Sequence, residues 1–354
     1  MKQVIVPFFI AHQGCPHQCV FCDQHSITGK NGELPQPLEL LRTIDAWRSS
    51  SGADSVEVAF YGGTFTALTH RQQQSLLQPL QPLLASGLVA AVRVSTRPDT
   101  VDVPTAEFLR DAGVTLVEIG VQSMDDDVLA ASGRGHTAAD TAAAFAALRA
   151  AGLQAGAQLM PGLPGDSAAG AVASLRRVVA LKPELLRIYP AVVLKGTELA
   201  RMYQQGSYAP LSLDAAVNLC KVMLHVAALA AVKVIRVGLQ PTTELAAGAA
   251  VLAGPCHPAL RQLSEGERWY DLLQILSARF AGDARLTLHV PPARIADVVG
   301  HKRRNIIRLE QFSRRTVAAV SADDSLAAGA IRISDSSMSI SGDLLRDLTY
   351  KEDL

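Results

Sequence analysis

Cys15, Cys19 and Cys22 stand in the run His12-Gln13-Gly14-Cys15-Pro16-His17-Gln18-Cys19-Val20-Phe21-Cys22-Asp23. Three thiols packed so closely suit a metal site. A disulfide framework pairs an even number of cysteines and belongs to small secreted domains. Two metal readings follow. Zinc wants a fourth ligand, which His12, His17 or His25 could supply in a Cys3His set. A four-iron, four-sulfur cluster held by three thiolates instead leaves one iron open for a further ligand. Chemistry can happen at that open iron.

The elements that position such a loop can be read from apolar periodicity. Val4–Ile10, Val56–Tyr61, Ala91–Ser95, Leu116–Val121, Ala155–Met160 and Leu185–Tyr189 read as buried strands. Val232–Val237 is a seventh strand-like run. Helical stretches lie between them, at Leu38–Ser50, Arg71–Ala85, Thr105–Ala112, Ala138–Ala151 and Gly170–Leu181. Alternating strands and helices imply right-handed crossovers and a parallel sheet. The expected fold class is α/β, a partial (β/α)6 TIM-like barrel with a small C-terminal α+β domain. Cys220 lies in an apolar helical stretch and reads as core filling.

Active sites on parallel sheets sit at the C-terminal strand ends. The unusual residues of this chain fall there. The cysteine loop follows the first strand, and Tyr61-Gly62-Gly63-Thr64-Phe65 the second. Ser95-Thr96-Arg97-Pro98-Asp99, Gly120-Val121-Gln122-Ser123, Gln158-Leu159-Met160-Pro161-Gly162 and Arg187-Ile188-Tyr189-Pro190 follow in turn.

These words resemble the radical S-adenosylmethionine enzymes. The cysteine spacing, with the aromatic Phe21 before the last cysteine, is similar to that family's signature. The resemblance implies a 4Fe-4S cluster on Cys15, Cys19 and Cys22, with S-adenosyl-L-methionine chelating the open iron. One electron then cleaves the sulfonium and releases a 5'-deoxyadenosyl radical. An electron donor such as flavodoxin or ferredoxin is implied as a partner. Gly62, Gly63 and Thr64 resemble the turn that receives the methionyl amino group, where missing Cβ atoms allow close approach. Gln122 matches a glutamine of the family. Arg134 matches an arginine that reaches the cofactor carboxylate in the coproporphyrinogen oxidase branch, a role suited to a guanidinium. Gln158 and Ser95 stand where that branch has an aspartate and a glutamate.

The words Phe60-Tyr-Gly-Gly-Thr-Phe65, Ser95-Thr-Arg-Pro-Asp99 and Gln158-Leu-Met-Pro-Gly-Leu-Pro-Gly165 are closer to the branch of the Elongator catalytic subunit, a tRNA-modifying enzyme. Arg236-Val237-Gly238-Leu239-Gln240-Pro241 belongs to the same likeness, which covers about residues 1–245. It implies RNA, most specifically tRNA, as a partner. The chain departs from that branch in its short cysteine spacing, and an acetyltransferase domain is not expected in it. Two alternatives stand beside this reading. One is a radical enzyme on a small-molecule or porphyrin-type substrate. The other is a non-catalytic iron–sulfur RNA-binding protein.

The 354 residues are 49% hydrophobic and 19% charged, with 33 basic and 33 acidic side chains. Bulk charge therefore does not recruit a polyanion, and any nucleic-acid surface must be local. No apolar run approaches a membrane span, and the start does not read as a signal peptide. A cytoplasmic location with reduced thiols is expected. Residues 1–240 are expected to form the barrel core and 241–284 a helical connector. Residues 285–354 read as a basic KH-like domain: strand Leu286–Val290, helix Ala293–Val299, turn Gly300–Arg303, helix Arg304–Phe312, then strands Thr316–Val320 and Ala330–Ser334. Its turn resembles the Gly-x-x-Gly clamp for a nucleic-acid backbone, with Arg303 in place of the second glycine. Lys302, Arg303, Arg304 and Arg308 are the candidate RNA contacts, with Arg314 and Arg315 adding charge nearby.

Overall fold

The computed structural model describes residues 2–23, 33–239 and 250–350. His25, Gln240, Pro241 and the start of the expected connector lie outside them. The main sheet has seven parallel strands in the order β1-β2-β3-β4-β5-β6-β8. These are β1 (Gln3–Phe9), β2 (Ser55–Tyr61), β3 (Val89–Thr96), β4 (Val114–Gln122), β5 (Gln154–Leu159) and β6 (Leu185–Ile188), then, past the short β7 (Val193–Leu194), β8 (Lys233–Val237). Every expected strand is present, and the seventh run does extend the half-barrel. β9 (Val251–Ala253) pairs with β7 in a separate antiparallel ribbon.

The crossovers are α1 (Pro37–Ser51), α2 (His70–Leu77), α3 (Gln81–Ala85), α4 (Val103–Asp111), α5 (Asp126–Ala131), α6 (Ala138–Ala150), α7 (Ala168–Ala180), α8 (Glu198–Gln204) and α9 (Leu213–Leu229). The expected single helix over Arg71–Ala85 is broken by a 3-10 turn at Gln78–Leu80. Pro79 and Pro82 lack the backbone N–H that a continuous helix needs. The helix expected from Thr105 starts earlier, because the Asp102 side chain accepts from Thr105 N and caps it.

Strand periodicity sorts the sheet into two faces. Val56, Val58, Phe60, Val92, Val94, Val117 and Ile119 are fully buried in one core with Leu40 of α1, Leu76 of α2 and Leu109 of α4. Their alternates, among them Glu57, Tyr61, Arg93, Glu118, Gln158 and Arg187, occupy the concave face. Cys220 is fully buried in the same core, as its apolar surroundings suggested.

The C-terminal part begins with α10 (Leu260–Ser277). Then come β10 (Arg285–Val290), α11 (Ile295–Val299), α12 (Arg304–Ser313), β11 (Thr316–Ala322), β12 (Ala330–Ser334) and β13 (Ser339–Asp343). The strand order is β11-β10-β12-β13, with β10 and β11 parallel. Helix α10 serves both cores: Leu260 belongs to the barrel, while Trp269, Leu272, Leu273 and Leu276 fill the second core with Leu286, Ile306 and Ile331. No helix among the described residues is long and apolar enough to cross a membrane.

Candidate active site

The cysteine loop leaves β1 and is clamped from two sides. On one side lies the turn after β2. Thr64 N donates to Gln13 O at 2.8 Å, and Ile10 N donates to Tyr61 O at 2.8 Å. A Cβ on Gly63 would stand 2.2 Å from Gln13 O and 2.5 Å from Ile10 O. The missing side chain at Gly63 therefore makes room for the backbone of the cysteine loop. This differs from the expectation that it makes room for a ligand. Gly14 does the reciprocal job, since its Cβ would meet Thr64 O at 2.4 Å, and its φ is +71°. Thr64 is buried, and its hydroxyl lies 3.4 Å from Cys15 Sγ.

The segment after α5 closes the other side. Val20 N donates to Ser132 O at 3.1 Å. The His17 ring lies against Gly135, where a Cβ would come within 2.5 Å of it. Arg134 is 6% exposed. Its Nη1 donates to Cys19 Sγ at 3.2 Å and its Nη2 to Gly120 O at 2.6 Å, while Nε has no partner. Phe21 is buried with Val128, Leu163, Val193 and Leu199, so its ring anchors the loop in an apolar cluster.

Burial, then the neighbouring Cys19 and Cys15 sulfurs, push the Cys22 thiol up to about 12, with Arg134 pulling the other way. The Cys22 thiolate is thus disfavoured unless a Lewis acid binds it. Among the described residues no group of three or more His, Cys, Asp or Glu side chains is arranged to hold one metal ion. Zinc needs its ligands about 2.0–2.3 Å from a single centre. A cubane cluster takes each thiolate on a different iron and needs no such convergence. Three thiols in one loop are a donor set that suits such a cluster, one thiolate to each of three irons.

Gln122 and Gln158 meet above the sheet, Gln158 Nε2 lying 3.3 Å from Gln122 Oε1. Gln122 has φ +66°, rare for a residue with a side chain, at a register shift between β4 and β5. Strain of this kind gathers at functional sites. Ser95 is half-buried and pairs in register with Glu118. His136 is buried, with Nε2 3.3 Å from Val121 O. Burial first, then Arg134 and Arg97, hold its imidazole down to about 4.

Below this layer the concave face carries an ionic network that the motif reading missed. Arg93 binds Glu57 at 2.5 Å and Glu118 at 3.0 Å. Arg187 binds Glu118 through Nε at 2.5 Å and Nη2 at 3.1 Å. Arg187 also donates to the phenols of Tyr61 at 2.9 Å and Tyr189 at 3.1 Å. Burial, then Glu118, push the Tyr61 phenol up to about 12. The signal was in the sequence: Val-Glu57-Val, Val-Arg93-Val, Val-Glu118-Ile and Leu-Arg187-Ile put charges at alternate positions of apolar strands.

The basic turn forms as expected around Gly300, with Lys302 and Arg303 exposed and both at positive φ. Asn305 fixes it from within, donating to Gly266 O, Asp297 O and Val298 O. Arg308 is half-buried. It binds Glu267 at 2.7 Å and lies 3.7 Å from the Tyr270 ring centre. Arg304 reaches Glu267 at 4.0 Å with half its side chain exposed. Phe312 at the end of α12 is 77% exposed.

Comparison with known families matches residues 9–178 to the radical SAM superfamily and 183–269 to its C-terminal domain. A tRNA uridine(34) acetyltransferase from Dehalococcoides mccartyi is 29% identical over 231 residues, covering 55% of this chain and 50% of that protein. One from Methanocaldococcus jannaschii is 26% identical over 256 residues, covering 61% and 47%. The chain thus spans about half the length of these curated relatives. Among solved structures, an archaeal Elp3 from Methanocaldococcus infernus superposes with a TM-score of 0.61 at 22% identity, over 78% of this chain and 64% of the other.

Proposed function

This chain belongs to the radical S-adenosylmethionine superfamily of enzymes, and from that premise we propose that it modifies RNA, with tRNA as the substrate class. Cys15, Cys19 and Cys22 would hold a 4Fe-4S cluster. That cluster, once reduced and with S-adenosylmethionine bound, supplies a 5'-deoxyadenosyl radical. Residues of this chain do the rest. Thr64 and Arg134 flank the sulfurs and fix the loop. Arg134 would offer its guanidinium to the carboxylate of S-adenosylmethionine. Gln122, Gln158 and Ser95 line the layer beneath. A small electron-transfer protein such as flavodoxin or ferredoxin is the proposed partner.

The observation that carries the RNA reading is the similarity to two tRNA uridine(34) acetyltransferases. Acetyl transfer is not carried over, because only half of each relative is matched. Exposed Lys302, Arg303 and Arg304 support the reading as phosphate contacts. The test has two readouts. Anaerobic protein is expected to bind about four irons, the content of a cubane, and to release 5'-deoxyadenosine on reduction. Cys15→Ala, Cys19→Ala and Cys22→Ala should each lose the iron, while Cys220→Ala and Cys256→Ala keep it. A deletion strain should lack one modified nucleoside in its tRNA by mass spectrometry. An unchanged nucleoside profile, together with tRNA binding unaffected by Arg303→Asp plus Arg304→Asp, would shift the assignment to a small-molecule substrate.

A further inference from the structure

The half-barrel is open, and among the described residues β8 is its last strand. A cleft of about 510 Å³ lies along that strand, between α9, β8, α10 and the segment that leads into α11. One wall is apolar, with Leu224 and Val232. The rest is charged: Lys233, Arg261, Arg268 and Arg294 line it, with Glu265 as the carboxylate among the lining residues.

These cations are not scattered surface charges. Arg268 is 5% exposed, bonded to Glu265 at 2.9 Å, and its Nε has no partner. Arg261 caps the sheet edge by donating to Val234 O at 2.7 Å, and stands 3.9 Å from Glu265. Arg294 is held by Asp297 at 3.0 Å. Lys233 is exposed. Fixed guanidiniums beside an apolar wall, with cations in excess, are the arrangement that takes up a phosphate group.

The cleft is separate from the cysteine loop. Its strand residues, Lys233 to Ile235, form the N-terminal half of β8, whereas the loop follows the C-terminal end of β1. In a parallel sheet these are opposite ends, and β1 and β8 are opposite edges.

We propose that this cleft is a phosphate-binding site, formed by Lys233, Arg261, Arg268 and Arg294. The phosphate comes either from an RNA backbone or from a free phosphorylated small molecule. The site does not depend on the RNA assignment, because the second source needs no nucleic acid.

The full chain is tested with two probes: radiolabelled inorganic phosphate in equilibrium dialysis, and labelled bulk tRNA in filter binding across a salt series. The variant is Lys233→Glu combined with Arg294→Glu. If the source is RNA, tRNA affinity falls at least tenfold and the slope of log affinity on log salt shrinks by about 1–2 for two lost contacts. If the source is a free small molecule, saturable phosphate binding by the wild type is lost and tRNA affinity is unchanged. Thermal unfolding checks the fold, and Lys233→Glu alone, at an exposed position, carries the test if the double variant unfolds. The proposal is overturned if the wild type binds neither probe, or if a folded variant binds both as the wild type does.

Discussion

Arg134 donates to Cys19 Sγ at 3.2 Å, joining two residues 115 positions apart in the chain. The guanidinium is therefore part of the sulfur environment as well as a candidate ligand for a carboxylate. Hydrogen bonds to cluster sulfurs tune reduction potential. Arg134→Ala should make the cluster harder to reduce, read as a more negative midpoint in an EPR-monitored titration. It should also weaken S-adenosylmethionine binding by about 1.5–3 kcal/mol, the scale for hydrogen bonds to charged groups. Unchanged potential and unchanged affinity would together remove Arg134 from the site.

Gly63 separates two ideas about the double-glycine turn. Because its Cβ would collide with Gln13 O and Ile10 O, Gly63→Val should displace the cysteine loop itself. The expected result is loss of iron on anaerobic reconstitution, with destabilisation of about 1–3 kcal/mol from overpacking. A variant that keeps full iron content and loses only cofactor binding would restore the view that this glycine makes room for the ligand.

Glu118 is the hub of the concave network, 4% exposed and bonded to both Arg93 and Arg187. Removing one partner of a buried ion pair strands the others. Glu118→Ala should cost about 3–5 kcal/mol in equilibrium denaturation. Glu118→Gln keeps the side-chain volume and one acceptor oxygen for these donors and should cost less. Equal losses for the two variants would mean that packing, and not the charge pattern, holds this layer.

His136 makes a pH prediction. Its folded pKa is held down to about 4, against about 6.5 in an unfolded chain. Between these values the unfolded state binds the extra proton, so stability falls as pH drops from about 6.5 towards 4. At pH 5 the expected loss from this group, relative to pH 7.5, is about 2 kcal/mol. His136→Gln should flatten that part of the profile in urea unfolding of cluster-free protein. Parallel profiles for the two proteins would rule out His136 as the source.

The sequence by itself determined the succession of strands and helices along the chain, the placing of the motif turns after the strands, and the grouping of three thiols. These are local signals: apolar runs of strand length, glycine and proline punctuation, and cysteines within eight residues of one another. Only the tertiary structure decided what each motif residue touches. Gly63 serves the cysteine loop, Phe21 an apolar anchor, and Arg308 an ion pair with Glu267. The network of Glu57, Arg93, Glu118 and Arg187 is legible in sequence as charges at alternate strand positions. Their pairing is not, because it depends on which strands become neighbours and in what register. The cleft beside β8 goes further: Lys233, Arg261, Arg268 and Arg294 come from three elements, and they meet only because an open half-barrel leaves its last edge to be covered by α10.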